Sequence, residues 1–205
     1  MLELTNDHQA GVDEAGRGPL FGPVVAAAVV LPTTFPDQMY MEIKDSKKLS
    51  AKKRERLADY IERVAVTFGI GIASPAEVDE INILQATYAA MHRALNNAFA
   101  RHPFDSVLVD GPAFKPYLNT GFEEGWIPHH CVLDGDNIYM NIAAASILAK
   151  THHDRLIDAA LAADPSLKRY GLGTNKGYGT KQHMQALRDF GPAAGHRITF
   201  GGVVV

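Results

Sequence analysis

Residues 11–31 read GVDEAGRGPLFGPVVAAAVVL, and the reading of this stretch decides the fold. Runs rich in Val and Ala at 10–16 and 23–31 are broken by Gly16-Arg17-Gly18-Pro19, the pattern of two strands joined by a turn, so a hairpin opens the chain. Inside the first run stand Asp13 and Glu14, acids in an otherwise apolar strand, where an unpaired carboxylate carries a substantial desolvation cost. Something must compensate them. Neighbours on an ideal strand point to opposite faces, so the two share a site only where a strand end or bulge relaxes the alternation.

Outward from this hairpin, Pro32, Pro36 and polar residues mark 33–50 as a loop, and Ser50 is placed to cap a helix over 51–63. Residues 64–73, with β-branched side chains and glycines, predict a third strand. Ser74-Pro75-Ala76-Glu77 is a capping box with proline at the first helical position, opening a helix to about residue 100 that breaks near Asn82. Short apolar strands at 106–109 and 130–133 end on Asp110-Gly111 and on Asp134-Gly135-Asp136. A long Ala-rich helix is expected over 141–163 and another over 180–190, stopped by Gly191-Pro192. Between them, 169–180 holds four glycines and reads as a surface loop. Three early strands followed by strands alternating with helices predict an α/β domain with a mixed sheet.

At 205 residues and 46% hydrophobic content, the chain suits one buried core, so a single domain over 1–205 is expected, with a short helical portion from about 180. Lys and Arg total 20 against 23 for Asp and Glu, and the formal charge of −3 carries no global signature of a nucleic-acid binder. Any such signature must be local, and residues 44–56, KDSKKLSAKKRER, supply one with seven basic and two acidic side chains. A run of this kind is commonly a solvated helix face, and it can also grip phosphates. Cys131 is the only cysteine, which excludes an internal disulfide and suits a reducing compartment. The first residues lack a secretory pattern and the apolar run 24–31 is too short to span a bilayer, so the expectation is a cytoplasmic protein without membrane contact.

Asp110 and Asp136 close two strands whose ends, in a mixed α/β sheet, often converge on one edge. Four carboxylates, Asp13, Glu14, Asp110 and Asp136, could thus meet, an arrangement tolerable if it binds hard divalent cations. Taken alone, Asp110 or Asp136 reads rather as a surface acid at a turn, a reading that is weaker for Asp13 and Glu14. Zinc competes as an alternative, since His129, His130, Cys131, His152 and His153 flank the cluster, though none follows a zinc-finger spacing. Gly16 and Gly18 could let backbone amides approach a ligand or merely form the hairpin turn. The segment 171–179 presents Lys176 beside Tyr178 and lacks the ending of a phosphate-binding P-loop.

Taken in order, GVDEAGRGPLFGPVVAAAVVL, KDSKKLS, EVDEINILQAT, VLVDG, GD, IAAASILAK and NKGYGT resemble ribonuclease HII, the bacterial type 2 ribonuclease H, from about residue 11 to residue 200. The resemblance implies a ribonuclease H-like fold with a five-stranded mixed sheet flanked by helices. It also implies Asp13, Glu14, Asp110 and Asp136 as catalytic ligands of Mg²⁺ or Mn²⁺. By the same mapping Gly16, Arg17 and Gly18 read the ribose 2′-OH and Tyr178 stacks on the adjoining sugar. Lys47, Ser146 and Lys150 lie near backbone phosphates, and Lys176 joins the nucleic-acid contacts. The implied reaction is two-metal hydrolysis of RNA/DNA hybrids and of duplex DNA carrying ribonucleotides, by a monomer, leaving a 5′-phosphate and a 3′-hydroxyl. One departure stands out: the family commonly has Lys-Gly-Asp where this chain has Asp134-Gly135-Asp136, which leaves Asp134 and Asp136 as rivals for the fourth ligand. A junction resolvase of the same fold, or a hybrid-binding protein with weakened turnover, are the competing functions.

Overall fold

Seven small apolar residues, Val24–Val30, form a strand, β2, that is buried along its whole length. Its neighbour β1 (Gln9–Ala15) pairs antiparallel with it on one side and parallel with β4 (Ser106–Asp110) on the other. With β3 (Thr67–Ala73) beside β2, and β5 (His129–Val132) parallel to β4, the sheet has the order β3-β2-β1-β4-β5. This is the expected five-stranded mixed sheet. The structure is a computed structural model and describes residues 2–119 and 125–204.

Alternate residues of β2 serve two cores. Val24, Ala26, Ala28 and Val30 pack toward helix α2 (Pro75–Phe99), while Ala27 and Val29 pack with α1 (Ala51–Val64) and α3 (Met140–Ala163). Small side chains are needed because the helices lie so close. A Cβ on Gly69 or Gly71 of β3 would stand 2.1 and 1.9 Å from the Ala94 and Ala90 carbonyls of α2. A Cβ on Gly11 of β1 would meet the α3 backbone at Asn141, 2.3 Å away.

The helix starts follow their caps. Ser50 accepts from the Lys53 amide, and Ser74 and Glu77 complete their capping box, an arrangement worth about 1 kcal/mol per cap. At Asn82 the backbone turns to φ 66°, and the Asn82 side chain accepts from the Leu84 and Gln85 amides, restarting α2 after the break expected there.

Three expectations need adjustment. Residues 33–50 contain 3₁₀ turns at Gln38–Glu42 and Ser46–Lys48, because Asp37 and Asp45 cap them by accepting from the Met39 and Lys47 amides. Residues 169–180 likewise carry structure: the end of a 3₁₀ turn at Pro165–Tyr170 and a short helix, α4 (Leu172–Asn175), precede α5 (Lys181–Phe190). The third strand starts at Thr67 because α1 continues to Val64. The connection from β1 to β2, residues 16–23, is longer than a tight turn, and its Leu20 and Phe21 pack into a third cluster with Ile157, Leu167, Tyr170 and Leu187. The C-terminal portion is thereby fastened to the loop that follows Asp13 and Glu14. Among the described residues no helix is long and apolar enough to cross a membrane.

Candidate active site

Parallel pairing of β1, β4 and β5 sends their C-terminal ends to one edge of the sheet. Asp13 and Glu14 come from the end of β1, Asp110 is the last residue of β4, and Asp136 follows β5 in a 3₁₀ turn, Gly135–Asn137. Asp13 and Asp136 are buried, at 5% and 4% exposure. Asp13 accepts from the Glu14 amide at 2.7 Å, and Asp110 accepts from the Gly135 amide at 2.7 Å, which ties the ends of β4 and β5 together.

Burial raises the pKa of Asp13 well above the ordinary value, and Glu14 and Asp110 raise it further. Burial also raises Glu14, against the lowering effect of Arg17, whose guanidinium lies 3.2 Å from its carboxylate. Asp110 is raised by burial, with Asp134 adding to the effect. Asp136 is pushed to about 6, by burial first and then by Asp45 and Asp110. For Lys47, burial disfavours the charged form, but Asp136, Asp13, Asp45 and Asp110 outweigh it and raise its pKa. Carboxylates held so close, with Lys47 and Arg17 as their cations, are starved of positive charge. Hard oxygen ligands in that condition fit Mg²⁺ or Mn²⁺. Among the described residues, no three His, Cys, Asp or Glu side chains stand close enough to cage an ion by themselves. A dication at this edge would keep water and substrate oxygens in its shell. His152 pairs with Glu62 and His153 with Asp154.

Asp13 and Glu14 open onto a cleft of about 180 Å³ lined also by Gly16, Arg17, Gly18, Ser46, Lys47, Ser146, Lys150 and Tyr178. Larger hollows of about 460 Å³ beside Tyr40 and Met140 and about 450 Å³ beside Lys52 and Arg56 gather no such carboxylates, so size does not mark the site. A second depression of about 150 Å³ shares Glu14 and Arg17 with the first and adds Asp110. Gly16 adopts φ +90°, and a Cβ there would meet the His153 ring at 2.5 Å. A Cβ on Gly18 would stand 3.3 Å from the Tyr178 ring, so the glycine lets the two surfaces meet. Lys150 reaches to 5.9 Å from the centre of that ring.

Every expected nucleic-acid residue lines this cleft except Lys176, which is turned to an ion pair with Asp158 of α3. Part of the basic run is committed elsewhere: Lys53 and Arg56 pair with Glu42, Arg54 with Asp154 and Lys48 with Asp45, while Lys47 lines the cleft. Asp134, exposed and at φ 53°, makes no cap with its side chain, whereas Asp136 faces the acidic cluster.

Sequence reading missed three contributors. Asp45, only 8% exposed, is a neighbouring acid that helps raise the pKa of Asp136. The Ser46 hydroxyl lies 3.0 Å from that of Ser146, which in turn hydrogen-bonds Asp13. Asp154 accepts from Lys150 at 2.7 Å and from Arg54 at 3.3 Å, holding the lysine beside Tyr178. The signal was an acid and a serine embedded in a lysine-rich block, and an acid four residues after Lys150 on one helix face.

The sheet order and the acids at its parallel ends define a ribonuclease H-like fold. The sequence model of the family Ribonuclease HII matches residues 10–201. The Ribonuclease HII of Porphyromonas gingivalis is 48% identical over 96% of this chain and 90% of its own, and that of Nitratidesulfovibrio vulgaris is 47% identical over 95% and 86%. The crystal structure of the ribonuclease H2 from Pyrococcus horikoshii superposes with a TM-score of 0.75 at 26% identity, covering 95% of this chain and 94% of that one. The chain belongs to the ribonuclease HII family, and is therefore a hydrolase of the type 2 ribonuclease H class, divalent-metal dependent and acting on RNA/DNA substrates.

Proposed function

We propose that this protein is a monomeric, single-domain endoribonuclease that hydrolyses the RNA strand of RNA/DNA hybrids and cuts 5′ to ribonucleotides embedded in duplex DNA. The observation that carries the reading is the sharing of one cleft by Asp13, Glu14, the Gly16-Arg17-Gly18 loop and Tyr178. Acid ligands and a surface suited to one sugar stand side by side.

Asp13, Glu14, Asp110 and Asp136 would hold Mg²⁺ or Mn²⁺. When bound, the ions supply an activated water and stabilise the leaving 3′-oxygen, giving 5′-phosphate and 3′-hydroxyl ends without a nucleophilic side chain. The protein's own part is orientation. Backbone amides of the glycine loop meet the ribose 2′-OH, the group that distinguishes RNA from DNA at a single position. Tyr178 offers a stacking face, and Lys47, Ser146 and Lys150 meet backbone phosphates.

A substrate panel tests this reading. An RNA/DNA hybrid and a DNA duplex with one ribonucleotide are expected to be cut, and an all-DNA four-way junction left intact. Cutting of the junction in preference to the other two would make the protein a resolvase. Metal-independent binding of the hybrid with no turnover would make it a recognition protein.

A further inference from the structure

Arg197 is a guanidinium at 0% exposure that no carboxylate meets within ion-pair distance among the described residues. Burying a cation this way is costly unless its donors are satisfied. Here backbone carbonyls take them. Nε donates to the Gly22 carbonyl at 3.0 Å, one terminal nitrogen to the Arg17 carbonyl at 3.0 Å, and the other to the Gly16 carbonyl at 2.6 Å. The Arg197 amide adds a bond to the Leu20 carbonyl at 2.9 Å. Asp79, the acid that favours its charge, is occupied instead with the Ile198 amide and with the amide and hydroxyl of Thr199, at 2.6–2.9 Å. Asp79 therefore holds the segment in place while Arg197 reaches into the glycine loop.

The geometry of the peptide unit turns this into a statement about the cleft. In a trans peptide the carbonyl of one residue and the N–H of the next point in opposite directions, and the described residues contain no cis bond. With the Gly16 and Arg17 carbonyls drawn inward to Arg197, the N–H groups of Arg17 and Gly18 are directed the other way. Both residues line the cleft, and among the described residues neither amide has a backbone acceptor. Two adjacent donors are thus held side by side, facing where a hydroxyl or anion would lie.

The neighbouring residue anchors the other recognition element. His183 Nδ1 lies 3.0 Å from the Tyr178 carbonyl, His183 Nε2 lies 3.0 Å from His196 Nε2, and the Ala193 amide donates to His196 Nδ1. With both rings neutral, only one assignment gives these contacts a donor each: His183 donates to Tyr178, and His196 donates to His183. Both elements are therefore fixed by residues 196 and 197.

We propose that Arg197 is a positioning residue that sets ribonucleotide selectivity, by holding the Arg17 and Gly18 amides toward the cleft as a paired donor for the ribose 2′-OH. This rests on the reading of the cleft given above. The test compares the affinity of wild type, Arg197→Met and Arg197→Lys for a DNA duplex with one ribonucleotide and for the matching all-DNA duplex, with Ca²⁺ replacing Mg²⁺ to suppress turnover. Lysine keeps the charge and loses the planar fork, so both variants are expected to behave alike. Wild type should prefer the ribonucleotide, and the variants should lose about tenfold of that preference while binding all-DNA duplex as before. A preserved preference, or an equal loss on both duplexes, would overturn the proposal and leave Arg197 a general scaffold residue. A wild type with no preference would instead remove the reading of the cleft. A measurement independent of any variant uses ¹⁵N-labelled wild type. The Arg17 and Gly18 amide signals should shift on adding the ribonucleotide duplex and stay in place with all-DNA duplex, and equal shifts with both would count against the proposal.

Discussion

Asp13 on β1 and Asp110 on β4 each stand one residue beyond the paired Val12 and Val109, so the parallel register sets two carboxylates on neighbouring strands at the same end of the sheet. The fold concentrates negative charge there, and without a bound cation it costs the protein stability. Activity and metal-free stability should therefore move in opposite directions when one of these charges is removed.

Asp13→Asn and Asp110→Asn are each expected to lower turnover by orders of magnitude, since an amide keeps the shape and loses the ligand charge. In EDTA both variants should melt at or above the wild-type temperature, because burial and like charge raise these carboxylates in the folded state. Near-normal turnover would place the site elsewhere.

Tyr178→Ala is expected to weaken cleavage at a single ribonucleotide by roughly 1–3 kcal/mol of transition-state binding, the usual worth of a stacking face. The ring is 45% exposed and lies against Gly18 with Lys150 over it, so it is available to substrate. Metal affinity should be unchanged. An unaltered kcat/KM on the single-ribonucleotide duplex would return Tyr178 to a packing role.

Asp154 supplies a pH dependence of known sign. Burial would raise it, but hydrogen bonds from His153 and Lys150 prevail and hold it at about 2, below the ordinary 3.8. A depressed carboxylate stabilises the fold fully above 3.8 and loses that contribution as pH falls toward 2. The gap between 3.8 and about 2 corresponds to roughly 2 kcal/mol. Urea midpoints of wild type and Asp154→Asn should therefore differ most at pH 5 and converge as pH drops below 4. A difference independent of pH would show that the contacts with His153 and Lys150 contribute nothing.

Asp134 is a surplus anion near the acidic cluster, acting on Asp110 from an exposed position. Asp134→Lys should tighten substrate binding, and the gain should shrink as salt rises, since screening acts over about 10 Å at 0.1 M. Asp136→Asn, by contrast, should raise the Mg²⁺ concentration needed for activity. If Asp134→Asn proved the damaging change and Asp136→Asn the mild one, the two roles would be exchanged.

Much of this was legible in the sequence, for physical reasons that differ by element. The capping box at Ser74 and the restart at Asn82 are local, so spacing alone predicts them. Asp13 and Glu14 stood out because a carboxylate in an apolar strand needs compensation. The 3₁₀ turns at Gln38–Glu42 and Ser46–Lys48 were hidden, since single aspartates cap them within stretches that read as loop. Lys176 read as a ligand contact, yet its partner Asp158 lies 18 residues away, on a helix face that spacing does not reveal. Arg197 was invisible for the same reason: its partners are backbone carbonyls about 180 positions upstream, and backbone groups leave no mark on composition.

The central claim is tested most directly by incubating the purified protein with an end-labelled DNA duplex carrying one ribonucleotide, in Mg²⁺, Mn²⁺ or EDTA. A single cut on the 5′ side of the ribonucleotide, leaving a 3′-hydroxyl, is expected with either metal and none with EDTA. Cleavage that persists in EDTA, or a cut of the same duplex made wholly of DNA, would contradict it.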